Sequence, residues 1–183
     1  MTARKAHQAV DVSIPFTRWA REIGAVPGAR TQEVSLRRAD AEKAALLGIS
    51  EDDLVVDVLR LRLLDDRPTM LERLTYIEPV GRVLFGVDLD QVSITEYLDE
   101  HGTGSADVDH EIDAVAADDT DSRLLEVPLG APVLRLRRVA RDAAGRTFEA
   151  SDDRYLSDIV RFTVSASGRS RQGDAYVRPL RSA

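Results

Sequence analysis

Arg60 and Arg62 stand one residue apart in "LRLRLLDDRPTMLER", residues 59–73, and Glu72 follows beyond a break at Asp-Asp-Arg-Pro. Alternation of Leu and Arg has the two-residue period of a β-strand, so both guanidiniums share one face and Leu59, Leu61 and Leu63 share the other. A guanidinium is a planar fork that binds carboxylate or phosphate through two parallel hydrogen bonds. A carboxylate beside it accepts from hydroxyl or amine groups. The same order returns later in the chain, where Arg135 and Arg137 oppose Leu134 and Leu136. On the following strand Glu149, Ser151, Asp153 and Tyr155 oppose Phe148 and Ala150. The polar face of such a sheet gathers guanidinium, carboxylate and hydroxyl groups. Spacing alone is met by cross-strand ion pairs on a wet sheet face, each worth about 0.2–1 kcal/mol. It is met equally by the floor of a cavity in which the arginines take an anion.

The elements that must position these groups are short and mixed. Residues 15–24 and 39–48 read as helices closed by Gly24 and Gly48, the second with Asp40 as N-cap. "SITEYLDEHG" opens with Ser93 and carries Glu96 three positions on, the capping-box pattern, and a fourth helix covers "DDTDSRLLEV" up to Pro128. Strand-like runs lie at 31–36, 55–64, 69–78, 107–116, 132–141, 146–156 and 159–165, joined by turn sequences such as "LLDDRPT" and "RDAAGRT". Consecutive strands therefore pair antiparallel, and helices are expected to cover the apolar face: an α+β domain built on a mostly antiparallel sheet with flanking helices. "LLGISEDDLVVDVLRLRLLDDRPTMLER" and "LLEVPLGAPVLRLRRVARDAAGRTFEAS" share their order, which predicts a pseudo-symmetric sheet with each hairpin backed by its preceding helix.

Composition bounds the function. A chain of 183 residues, 43% hydrophobic and 31% charged, is large enough for one substantial core. Cysteine is absent, which removes disulfides, thiolate nucleophiles and Cys-based zinc sites and suits the reducing cytosol. No apolar run nears the roughly 18 residues of a membrane span, and "MTARKAHQAVDV" lacks the apolar stretch of a secretion signal, so a cytoplasmic protein is expected. The net charge of −7, concentrated between residues 88 and 123, would repel a phosphate backbone. His7, His101 and His110 have no metal-ligand spacing, and no G-x-S-x-G nucleophile motif occurs. No metal, cofactor or catalytic residue is expected.

The ordered series "LRLRLLDDRPTMLER", "SITEYL", "LLEVPLGAPVLRLRR" and "GRTFEASDDRYLSDIVRFT" resembles the UTRA effector-binding domain of HutC-subfamily, GntR-type bacterial transcription regulators. The resemblance covers roughly residues 13–166 and implies an effector-binding domain at 13–168, between a leader at 1–12 and a C-terminal tail at 169–183. It implies a fold like that of chorismate lyase, and a domain that binds a small effector and thereby alters DNA binding by a winged helix. Position by position it implies effector contacts at Arg60, Arg62, Glu72, Ser93, Thr95, Glu149 and Tyr155. Ser93 by itself reads as an ordinary N-cap; the resemblance adds an anion site at that helix start. The effector is expected to be anionic, and homodimerisation accompanies the resemblance.

Departures from the family pattern bear on the ligand. Pro15-Phe16 replaces Ser-Phe, Thr95 stands where a tyrosine is common, and Ser157-Asp158-Ile159-Val160 lacks the usual arginine. A winged helix is a small domain in its own right, above the roughly 50 residues that autonomous domains need, and the match begins at residue 13, so none fits within this chain. The competing class is a lyase-like enzyme acting on a small carboxylate, with Glu72 or Glu149 as general acid if burial raised its pKa. On the effector-binding reading Arg60 and Arg62 stand on an exposed face, and truncating them is expected to damage binding more than folding.

Overall fold

The computed structural model describes residues 6–9 and 14–163. A short strand β1 (Ala6–Ala9) precedes α1 (Phe16–Glu22), β2 (Pro27–Arg38), α2 (Ala41–Leu47), β3 (Leu54–Leu64) and β4 (Arg67–Ile77). There follow α3 (Glu78–Gly81), a 3-10 turn (Arg82–Gly86), α4 (Ile94–Glu100), β5 (Asp107–Ala116), α5 (Asp119–Leu125), β6 (Pro132–Arg141), β7 (Thr147–Tyr155) and β8 (Val160–Thr163). Six strands form one antiparallel sheet in the order β2-β3-β4-β7-β6-β5, while β1 pairs in parallel with β8. The fold is the expected α+β type. Within the leader, residues 6–9 are the paired strand β1; the tail 169–183 lies outside the described residues.

Local signals set the elements. Asp40 accepts from the Lys43 N–H, and Gly48 closes α2 in the left-handed conformation that costs glycine least. Asp118 and Asp121 cap α5 reciprocally, each side chain taking the other's N–H. The β3–β4 turn puts Asp65 and Asp66 at φ 50° and 63°, the double left-handed geometry whose twist suits a tight hairpin. Pro68, which has no N–H to give a ladder, sits where the β3–β4 register shifts.

Helices cover both sheet faces, not one. On the first face Phe16, Trp19 and Ala20 of α1 pack on Leu64, Met70, Leu136 and Tyr155. Gly81 brings the backbone of α3 against Val56 and Tyr76 of that face. On the second face Leu124 and Leu125 of α5 pack on Leu61, Leu63, Leu71 and Val133. The expectation that each hairpin is backed by its preceding helix is also corrected. α2, which precedes β3, lies against β7, and α5, which precedes β6, lies against β4. The loops leading out of α2 and α5 feed β3 and β6, each second from an edge of the sheet, while each helix lies across the central strand of the other hairpin.

Candidate functional site

The ladder registers put one row of polar side chains on the first face. Arg60 pairs with Glu72, Tyr76 with Glu149, and Ser151 with Arg138. This face is not wet. Arg60 is 1% exposed, Arg62 3%, Glu149 2% and Tyr155 2%. Arg60 donates from Nε to Glu72 Oε2 at 2.7 Å, and from a terminal nitrogen to the carbonyls of Leu89 at 2.6 Å and Val92 at 3.1 Å. It thus ties the sheet to the segment that leads into α4. Arg62 reaches the other Glu72 oxygen at 3.5 Å, donates to Thr17 Oγ1 at 2.8 Å, and lies 4.5 Å over the Phe16 ring. Its Nε is buried without an acceptor.

The expectation of exposed arginines is therefore overturned, because α1 and the segment before α4 close over this face. Burial opposes the charge on Glu72, but Arg60 and Arg62 hold its carboxyl below the usual range. Burial also lowers the proton affinity of Arg62, which Glu72 only partly offsets.

A second cluster lies across the sheet. Arg138 donates to Glu149 Oε1 at 2.7 Å and to Ser105 Oγ at 3.1 Å, while its Nε has no acceptor. Burial pushes the Glu149 carboxyl up despite Arg138 and a hydrogen bond from Tyr76. Sequence parity assigned Arg135 and Arg137 to this polar face; the structure places them on the second face, where they pair with Asp113, Asp152 and Glu42. The signal for Arg138 was the Arg137-Arg138 doublet, which necessarily supplies one guanidinium to each face. Asp153, buried beside this cluster, was placed on the right face by parity but not among the contacts.

Ser93 caps α4, accepting from the Glu96 N–H at 3.4 Å. α4 is only seven residues long, so its N-terminus offers less to an anion than a longer helix would. Thr95 lines a cavity of about 260 Å³ together with Glu149, Phe148, Pro15, Arg18 and Ser105, between the start of α1, α4 and β7. Of the seven expected positions, Arg60, Arg62 and Glu72 form one buried network, Thr95 and Glu149 share the cavity, and Tyr155 sits under α1 with its ring edge-on to Phe162 at 5.0 Å. Among the described residues no cluster of three or more His, Asp or Glu is placed to hold a metal ion, and no helix is long and apolar enough to cross a membrane.

Comparison with known proteins fits this geometry. A model of the UTRA domain matches residues 22–161. The chain belongs to the UTRA domain family. The HTH-type transcriptional repressor NagR of Bacillus subtilis is 27% identical to this UTRA chain over 161 residues, 86% of the chain and 65% of the repressor, so the chain spans less than two thirds of that relative. PhnF from Mycobacterium smegmatis superposes with a TM-score of 0.82 at 21% identity, over 90% of this chain and 73% of PhnF. Its separate effector domain superposes with a TM-score of 0.80 at 20% identity, over 88% of this chain and the whole of that domain. At such identity these two show the shared UTRA fold.

Proposed function

We propose that this UTRA chain is the effector-sensing part of a GntR-type, HutC-subfamily bacterial regulator working in the cytoplasm, and that its effector is a small anion. Residues 13–168 form the sensing unit, Arg60, Arg62, Glu72, Ser93, Thr95, Glu149 and Tyr155 surround the effector, and the protein acts as a homodimer. DNA is contacted through a winged helix whose affinity the bound effector alters. The observation that carries the reading is Arg62: a buried guanidinium with an unpartnered N–H, only partly neutralised by Glu72, is a donor prepared for an acceptor that arrives from outside. The reading is of a binding domain and not an enzyme, since its named relatives are regulators.

A thermal-shift screen of metabolites tests it. A ligand at 100 times its dissociation constant adds about 2.7 kcal/mol of stability. Stabilisation confined to anionic compounds supports the reading, and stabilisation by neutral or cationic compounds alone overturns it. Turnover of chorismate by the purified chain would favour the lyase alternative.

A further inference from the structure

The buried groups on the first face include one that the effector contacts named above leave out. Asp153 is 6% exposed, and its register partners place it abreast of Glu72: Leu71 pairs with Arg154 and Leu74 with Ser151, which brackets Glu72 beside Asp153. Across β6 it faces Leu136. Ser151 Oγ donates to Asp153 Oδ2 at 3.2 Å, while Oδ1 is buried with no partner. Further unpartnered buried atoms on this face are Thr31 Oγ1, across from Arg60, and the arginine nitrogens Arg62 Nε and Arg138 Nε. Asp153 lies between their strands, in β7, with β4 and β3 on one side and β6 on the other.

We propose that Asp153 is a recognition residue for the bound anion, donating a carboxylic O–H from Oδ1 to one of the anion's oxygens while Arg62 and Arg138 approach from either side. This rests on the anion reading above.

The charges around Asp153 are those of Glu72 on β4, Arg60 and Arg62 on β3, Glu149 on its own strand and Arg138 on β6; Tyr155 and Tyr76 are the nearby phenols. α1, which packs on the neighbouring Tyr155, Met70 and Leu136, presents Phe16, Thr17 and Trp19, none of which carries charge here. Glu72 already uses both its oxygens on Arg60 and Arg62, and Glu149 takes Arg138. An ionised Asp153 would be a third carboxylate beside two others, with no guanidinium of its own. Burial, then Glu72 and Glu149, push its carboxyl well above the usual range. Because Oδ2 accepts from Ser151, the proton resides on Oδ1, where an O–H needs an acceptor. An anion supplies one; a cation or a ligand amine does not. A protonated Asp153 also leaves three arginines against two carboxylates, so the site has an excess of positive charge to offer. No bond is made or broken in binding, and the proton stays on Asp153.

The test uses the full 183-residue chain, with sulfate as the probe because its charge is constant between mildly acidic and mildly basic pH. Sulfate binding is measured by calorimetry across that range for the parent, Asp153→Asn and Asp153→Ala, with melting curves to confirm folding. The infrared carbonyl stretch of a protonated carboxyl is recorded for parent and Asp153→Asn at neutral pH. The proposal expects a protonated-carboxyl band that Asp153→Asn removes, and sulfate affinity in the parent that falls about tenfold per pH unit once Asp153 ionises. It expects a pH-independent affinity in Asp153→Asn, whose amide still donates, and a loss on the order of tenfold or more in Asp153→Ala. Absence of the band overturns the proposal whatever binds. So does a pH slope that persists in Asp153→Asn, which would belong to Glu149, or parent-like binding by Asp153→Ala. If the band is present but sulfate binds at no pH, the anion reading of the site fails, and the donor role of Asp153 fails with it.

Discussion

Arg60 and Glu72 face each other across the β3–β4 ladder, and their side chains close the pair at 2.7 Å with both groups buried. The pair is part of the domain's interior, and Arg60 also serves two carbonyls of the segment before α4. Arg60→Ala should therefore cost about 3–5 kcal/mol, because it leaves Glu72 with only the longer contact to Arg62 and strips the Leu89 and Val92 carbonyls of their donor. Leu61→Ala, on the opposite face, should cost about 2–5 kcal/mol through its cavity. Urea titrations of the two variants should give losses of similar size. A parent-like Arg60→Ala would mean that the pair contributes nothing to folding.

Gly81 is tied to its position by packing. A Cβ there would come within 2.8 Å of Val56 Cγ2 and 3.1 Å of Tyr76 Cβ. Both neighbours are buried in the sheet and cannot retreat. Gly81→Ala should destabilise by about 1–3 kcal/mol as an overpacked core does, although alanine is the better helix former. A melting temperature equal to or above the parent's would show that α3 can shift outward.

Stability should respond to pH in two opposed ways. Glu72 has its pKa depressed on folding, so its contribution is present above the ordinary carboxylate range and is lost as pH falls through the depressed value. Asp153 and Glu149 have theirs raised; their contribution is complete below the ordinary range and is lost as pH rises through the raised values. Asp153→Asn should thus gain on the parent as pH rises above the ordinary carboxylate range, whereas Glu72→Gln should fall behind it as pH rises from the depressed value to that range and keep a constant deficit above it. Denaturant midpoints measured from acid to neutral pH check both signs.

A homodimer is expected in solution, in keeping with the two-fold symmetry that dimeric regulators share with their operators. Sedimentation over a concentration series should show a dimer at micromolar protein. A monomer throughout would place the dimer contacts outside this chain.

Specific DNA binding is not expected from this chain alone, given its net charge of −7. A gel shift at physiological salt should show no sequence-specific retention by the purified 183 residues.

Much of this was legible in the sequence where the signal is local. Asp40, Gly48 and Ser93 announce their helix ends, and the Leu-Arg alternation gives the correct faces for β3. The four-residue α3 is not legible because Glu-Pro-Val-Gly is too short to show a helical period, although Pro79 fits a first turn. β1 is equally hidden, because a four-residue strand shows little alternation and its partner β8 is remote in sequence. Parity says which side chains share a face but not what covers that face. The burial of Arg60 and Arg62 depends on α1 and on the segment from Leu89 to Val92, both distant in sequence. In β6 the Val-Leu-Arg-Leu-Arg repeat suggested the same phase as β3, whereas pairing with β7 sets the opposite phase and brings in Arg138.

The exchange of helices between hairpins has a consequence for how the domain is made and broken. With α2 on β7 and α5 on β4, and with β4 paired to β7, a cut in the chain between β4 and β5 would leave each half with a strand that has lost its covering helix and a helix that has lost the strand it packs on most. The apparent duplication therefore does not yield two autonomous pieces. The sheet's central seam joins residues some 80 positions apart, Leu71 to Arg154 and Tyr76 to Glu149, and such distant pairings must overcome loop-closure entropy before either helix gains its footing. Assembly is thus a late, collective event near the middle of the sheet, and the polar network that straddles this seam becomes complete only when the two halves have met.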